Sequence, residues 1–255
     1  MPSGSSRGRG RRRLDERLVE DGLASSRTHA QALILSGVVL VDDVPVDKAG
    51  RSIPDTAAIR LRGEVSRFVS RGGDKLAGAL EDFDLDVQGL SCLDAGASTG
   101  GFTDCLLQAG ARHVLAVDVG RGQIHEKLRA DSRVEVRERV NVRHLEAKDV
   151  SGPIELVVAD VSFISLRLLM PAFVRVAPEA LWLLMVKPQF EVGKEKVGKG
   201  GVVREEPLRE EAVASVVEAA SEEHYGLLQR ADSRLAGPSG NREIFILLRR
   251  EQARD

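Results

Sequence analysis

Cysteine is scarce in this chain: 255 residues hold two, Cys92 and Cys105. That number gives no disulfide framework, and both thiols read as buried and reduced in a cytoplasmic protein. Long apolar runs are missing as well. The longest, such as 180–186, fall far short of the ~20 residues that a membrane-spanning helix needs. A secretory pattern is also absent, because no apolar stretch follows Arg13 before Asp15 and Glu16 interrupt it. Charge of one sign does not dominate either. The formal net charge is −2, but it is uneven, with +3 over residues 1–67 and −5 over the rest.

What is present fits a two-part chain, since this length allows one or two domains and 42% hydrophobic residues can bury a sizeable core. Over residues 1–12, with Arg13 at the border, Arg7, Arg9, Arg11, Arg12 and Arg13 stand among Gly and Ser. Such a stretch reads as a flexible basic arm that supplies salt-dependent phosphate contacts to a nucleic acid. A solvated tail is the competing reading. Over 13–66, Leu14, Leu18, Leu23, Ala30, Leu33 and Ile34 mark two short amphipathic helices. Gly22 stops the first, and Ser25 or Ser26 caps the second. Gly37-Val38-Val39-Leu40-Val41, a turn at Asp42-Asp43, then Val44 and Val46 predict a hairpin.

Residues 67–70, Arg67-Phe68-Val69-Ser70, form the joint to a larger domain over 71–250. Arg71-Gly72-Gly73-Asp74-Lys75-Leu76 opens a helix with Leu76, Ala79, Leu80 and Phe83 at helical spacing. A lysine near the positive end of a helix dipole is unfavourable, so Lys75 is a candidate site residue. From residue 91, strands are predicted near 91–94, 114–118, 134–137, 155–160 and 181–187, and helices near 101–110, 122–129, 165–176 and 207–224. That alternation predicts an α/β fold with a doubly wound parallel sheet.

The chemistry begins at Asp94-Ala95-Gly96-Ala97-Ser98-Thr99-Gly100-Gly101-Phe102-Thr103. Its glycines stand where a strand-to-helix turn approaches a ligand, and Thr99 or Thr103 can cap the following helix. Asp118 closes the next apolar run about 20 residues on, where an acid reads ribose hydroxyls. The spacing D-x-G-x-x-x-G-G is not the dinucleotide fingerprint G-x-G-x-x-G, which favours S-adenosylmethionine over NAD. Asp160 ends the run Leu156-Val157-Val158-Ala159, and Lys187 ends 181–186 and is held extended by Pro188. Both charges therefore fall on the sheet edge that carries Gly96 and Asp118. The turn Gly237-Pro238-Ser239-Gly240-Asn241 leads to Glu243 at the start of a last strand, so Asn241 and Glu243 are expected at the mouth of the sheet.

The module over 13–66, with Leu-x-x-x-Gly-Leu-Ala-x-Ser-Arg and Ile-Leu-Ser-Gly-Val-Val-Leu-Val-Asp, resembles the small α+β S4-like RNA-binding domain. The blocks at 71–76, 94–103, 158–165, 186–193 and 237–241 resemble those of the TlyA family, once labelled haemolysin. That resemblance runs from about Arg13 to Leu248. It implies a Rossmann-like, FtsJ-type methyltransferase domain after the S4-like one, and S-adenosylmethionine-dependent 2'-O-methylation of ribosomal RNA, at cytidines of the small subunit, the large subunit or both. Carried over residue by residue, it implies a catalytic tetrad of Lys75, Asp160, Lys187 and Glu243. A cofactor set follows: Asp94, Gly96, Ser98, Thr99, Gly100, Gly101, Phe102, Asp118, Val119 and Asn141. Arg13, Arg27 and Arg67 are placed on RNA. Phe68 stands where some members carry another aromatic residue and is expected to keep its packing role. Lys187, neutralised by burial and by the positive charge of Lys75, is the expected base for the ribose hydroxyl. Asp160 orients it, and no metal is required. Two other classes stand beside this one. A catalytically silent RNA-binding assembly factor would use the same S4-like module, and a pore-forming haemolysin conflicts with the lack of a spanning or strongly amphipathic basic stretch.

Overall fold

The computed structural model describes residues 10–24, 26–62, 66–237 and 239–251. The chain divides into two compact units, Met1–Val65 and Ser66–Asp255. No helix among the described residues is long and apolar enough to cross a membrane.

The smaller unit runs β1 (Arg11–Arg13), α1 (Leu14–Glu20), α2 (Arg27–Leu35), β2 (Val39–Val41), β3 (Val44–Pro45), β4 (Ser52–Pro54) and β5 (Ile59–Leu61). Gly22 follows α1 in the left-handed region, φ +72°, as a helix-ending glycine does. The Ser26 hydroxyl accepts from the His29 N–H and caps α2. Asp42 and Asp43 both have positive φ, the geometry of the tight turns that match strand twist, and they join β2 to β3. Leu14, Leu18, Ala30, Ile34, Val39 and Ile53 form the buried centre. The expected arm needs correction where it can be seen. Arg11, Arg12 and Arg13 are a strand paired antiparallel with β4, and Arg12 is bound to Glu20 and Asp55. Arg7 and Arg9 lie outside the described residues.

The larger unit begins with α3 (Arg71–Asp82), β6 (Ser91–Ala95), α4 (Gly101–Gln108), β7 (His113–Asp118), α5 (Glu126–Arg129), β8 (Val134–Glu138) and β9 (Leu156–Ala159). It continues through α6 (Met170–Val176), β10 (Leu181–Val186), α7 (Pro188–Glu191), α8 (Glu206–Glu222), β11 (Tyr225–Asp232) and β12 (Ile244–Arg250). Its fold is the doubly wound α/β sheet that the alternation predicts. The seven strands stand in the order β11-β12-β10-β9-β6-β7-β8. β8 through β10 in that row are parallel, and β12 is antiparallel to both β10 and β11. Two apolar layers cover the faces, with Leu93 and Ala95 of β6 in one and Cys92 in the other. From β6 the chain winds out through β7 and β8, then crosses back to β9. The order reverses between β6 and β9, and ligands of such sheets bind beyond the carboxyl ends there.

Three elements differ from expectation. The helix near 122–129 is one turn, Glu126–Arg129, and that near 165–176 is split into a 3-10 turn at Leu166–Leu168 and α6. β11 was not anticipated at all. Only Tyr225 within it is buried, so it carries no apolar alternation and is held by its pairing with β12.

Candidate active site

The cofactor loop starts from β6, buried along its whole length. Asp94 is fully buried there and accepts a hydrogen bond from the Thr103 hydroxyl at 2.6 Å, while its Oδ1 finds no hydrogen-bond partner among the described residues. Thr103 is therefore not a helix cap. Gly100, at φ +94°, precedes α4 with no side-chain cap, and Thr99 makes none. Burial, with the nearby charges of Asp160 and Asp118, pushes the Asp94 carboxyl up to about 7 against the pull of the Thr103 hydrogen bond.

The glycines are needed, mostly for packing. A Cβ on Gly96, φ +86°, would stand 2.7 Å from the Asp160 carbonyl oxygen, so this glycine lets the ends of β6 and β9 close together. A Cβ on Gly101 would meet Ser70 Oγ at 2.3 Å and the Gly73 nitrogen at 2.9 Å. Gly101 thus seats the start of α3 on the start of α4. The Phe102 ring is buried and stacked on Phe245, centroids 6.2 Å apart. Phe68 keeps a packing role: a Cβ on Gly73 would run into its ring at 2.3 Å.

Asp118 at the end of β7 accepts from the Ser98 N–H at 2.8 Å and the Gly120 N–H at 2.6 Å. The acid is thereby fixed against the loop that Ser98 belongs to. Val119, next to it, exposes 69% of its surface. The Asp118 carbonyl accepts from the Val140 N–H, which brings Asn141 to the same strand end, where its side chain caps the following turn through the Arg143 N–H.

The four tetrad residues form two ion pairs. Lys75 on α3 and Glu243 before β12, both buried, are joined at 2.5 Å. Lys187, also buried, binds Asp160 and donates to the Ser162 hydroxyl at 2.9 Å. The pairs share the cofactor edge, since Asp160 donates its N–H to the Ala95 carbonyl and Lys75 lies on the helix seated at Gly101. The expectation that Lys75 acts on Lys187 as a bare positive charge is corrected: each lysine has its own carboxylate.

Two residues escaped the sequence reading, and a third was placed but given no task. Ser162 completes the surroundings of Lys187. Glu191 on α7 is buried and accepts from the Ser165 hydroxyl at 2.5 Å and the Leu166 N–H at 2.8 Å, with burial raising its carboxyl above the ordinary range. Asn241, placed at the mouth but given no task, is buried and holds the loop after α7 by accepting from the Val203 N–H and donating to the Gly201 carbonyl. The signals were a serine and an acid inside Asp160-Val161-Ser162 and Lys187-Pro188-Gln189-Phe190-Glu191.

In the smaller unit, Arg13 and Arg27 converge on one fully buried carboxylate, Asp15, at 3.0 and 2.9 Å, with Gln31 as a further donor. Both guanidiniums stay about half-exposed. In the larger unit, the Arg67 guanidinium lies 4.7 Å from the centre of the Phe68 ring.

Comparison with known proteins agrees with this layout. The FtsJ-like methyltransferase family matches residues 68–250, and the S4 domain matches residues 12–54. The chain is 48% identical over 246 residues to the 16S/23S rRNA (cytidine-2'-O)-methyltransferase TlyA of Mycobacterium tuberculosis, covering 96% of this chain and 92% of that one. It is 39% identical to Hemolysin A of Brachyspira hyodysenteriae, covering 91% and 98%. Among solved structures, "Putative hemolysin from Streptococcus thermophilus" is similar with a TM-score of 0.76 and 38% identity, over 95% of this chain and 89% of that one.

Proposed function

The chain belongs to the FtsJ-like methyltransferase family, with an S4 domain ahead of the catalytic fold, and from that premise we propose that it methylates cytidine 2'-hydroxyls of ribosomal RNA with S-adenosylmethionine as donor. The observation that carries this reading is the pair of buried lysine–carboxylate contacts, Lys187–Asp160 and Lys75–Glu243, on the same sheet edge as the acid-lined turn.

The turn suits such a donor on its own features. Asp118 offers a carboxylate for ribose hydroxyls, Val119 an exposed apolar side chain for a purine face, and Asp94 a buried acceptor with an unfilled oxygen. When bound, S-adenosylmethionine supplies an electrophilic methyl group on a positively charged sulfur. A ribose hydroxyl is a poor nucleophile, so the protein has to orient it and take its proton. Lys187 is the group we assign to that proton. Its ammonium donates to the Ser162 hydroxyl and is ion-paired with Asp160, whose Oδ1 takes no hydrogen bond among the described residues. Lys75 and Glu243, neutral as a pair, position the ribose. RNA docking falls to the S4 domain through Arg13 and Arg27, with Arg67 of the larger unit beside them in the assignment.

The test is incorporation of labelled methyl groups into purified ribosomal subunits. Lys187→Ala should bind S-adenosylmethionine and RNA as the parent does, yet lose ~10²–10⁴-fold in rate. Lys187→Arg should not restore it, because a guanidinium keeps its proton. Undiminished transfer by Lys187→Ala would remove the lysine from the reaction, and no transfer by the parent to either subunit would favour a silent assembly factor.

A further inference from the structure

We propose that Ser162 is a positioning residue for Lys187, fixing the direction in which the amine receives the ribose proton; this rests on the methyl-transfer reading. Ser162 lies two residues past Asp160, on the segment that leaves β9, and its hydroxyl accepts from Lys187 Nζ at 2.9 Å. Asp160 alone would leave the amine free to rotate about one contact. The hydrogen bond to Ser162, beside the ion pair with Asp160, gives the amine a set orientation, and productive transfer needs that orientation to meet the ribose hydroxyl.

The segment holding Ser162 is built to stay in place. Phe163, the next residue, is in the left-handed region at φ +65° with 92% of its surface exposed. For a bulky residue this conformation is costly, and it persists only where surrounding contacts impose it. Those contacts come from the segment that carries Lys187. Phe190 places its ring 5.3 Å from that of Phe163, and Glu191 holds Ser165 and Leu166. Residues 160–166 and 187–191 are therefore tied together at both ends, by Lys187 with Asp160 and Ser162 at one and by Glu191 at the other. The strain at Phe163 lies between the two ties. Ser162 is exposed, so exchanging it disturbs no core.

The experiment uses the full chain with Ser162→Ala and Ser162→Thr, measuring kcat and KM for ribosomal subunits, S-adenosylmethionine affinity by calorimetry, and thermal unfolding. Ser162→Ala should lower kcat roughly 10- to 100-fold, the loss expected when a reacting group is misplaced by about an ångström. KM, cofactor affinity and Tm should stay at parent values. Ser162→Thr retains the hydroxyl and should recover most of kcat. A Ser162→Ala kcat equal to that of an active parent would overturn the role of Ser162 alone. Equal kcat losses in both variants, accompanied by a lower Tm, would overturn it in favour of loop packing. A parent inactive on both subunits would overturn the methyl-transfer reading and this proposal with it.

Discussion

Asp15 in the S4 unit and Asp94 in the methyltransferase unit are both fully buried, yet their surroundings are opposite. Asp15 is gripped by Arg13, Arg27 and Gln31, and its carboxyl is driven far below the ordinary range, chiefly by the Arg13 hydrogen bond. Asp94 has one hydroxyl partner and an unfilled oxygen, and burial pushes it up to about 7. A unit of about 60 residues has a marginal core. It uses one carboxylate to tie β1, α1 and α2 together. The larger unit, with apolar layers on both sheet faces, holds an acid with one oxygen unsatisfied among the described residues near the carboxyl end of β6. The buried acid thus serves cohesion in one unit, and in the other it is the acid that the proposed function assigns to the methyl donor.

The comparison breaks most severely if Asp15 is stripped of its partners. Arg13→Ala with Arg27→Ala leaves a buried carboxylate with Gln31 as its remaining side-chain partner among the described residues, and stranding a buried charge costs up to about 3–5 kcal/mol, reduced here because both guanidiniums are half in water. That is a large share of what a small domain has. Hydrogen exchange should show α1 and α2 losing protection while β6, β9 and β10 keep theirs. Parent-like protection of α1 and α2 in the double variant would mean that Asp15 finds other compensation.

A smaller effect sharpens the contrast through pH. Because the folded value for Asp94 lies above its unfolded value near 3.8, the folded state holds the extra proton between them. The stability that Asp94 contributes is therefore fully present below about pH 3.8 and is lost as pH rises through about 7. For Asp15 the sign is reversed. Its contribution is present above about 3.8 and is lost as pH falls through its depressed value. Urea unfolding followed through Trp182 in the larger unit should show the parent weakening between about pH 4 and 7 relative to Asp94→Asn. The difference should reach a few kcal/mol, since tenfold in proton affinity corresponds to about 1.4 kcal/mol. Parallel pH curves for parent and Asp94→Asn would exclude Asp94 as the source.

Much of this arrangement was legible in the sequence, for a physical reason. A charge that ends a buried apolar run has nowhere to go except the sheet edge, so Asp118, Asp160 and Lys187 announced both the edge and the site. The pairing among them was not legible. Lys75 meets Glu243 across 168 positions, and nothing local says that each lysine takes its own acid. Gly101 shows another limit. A glycine in a turn signals a close approach but not what approaches, which here is the start of α3. The role of Asp15 was within reach, because Arg13 stands two residues away. The arginines drew attention as phosphate ligands, and the acid beside them was passed over.

That oversight determines how RNA binding by Arg27 has to be tested, and the expected effect is the smallest of the set. Removing Arg27 from the parent confuses the proposed phosphate contact with the loss of a partner to buried Asp15 and to Glu16. In an Asp15→Asn background the buried charge is gone, so Arg27→Gln leaves no buried carboxylate bare. The half-exposed guanidinium is then lost to the RNA and to Glu16, itself about half in water. Affinity for ribosomal RNA, measured from low to moderate salt, should show the log–log slope flattened by about one in Asp15→Asn/Arg27→Gln relative to Asp15→Asn, because one phosphate contact releases about one counterion. Cofactor affinity should not move. An identical slope in the two backgrounds would reduce Arg27 to a clamp on Asp15 and leave phosphate contact to other cations of the chain.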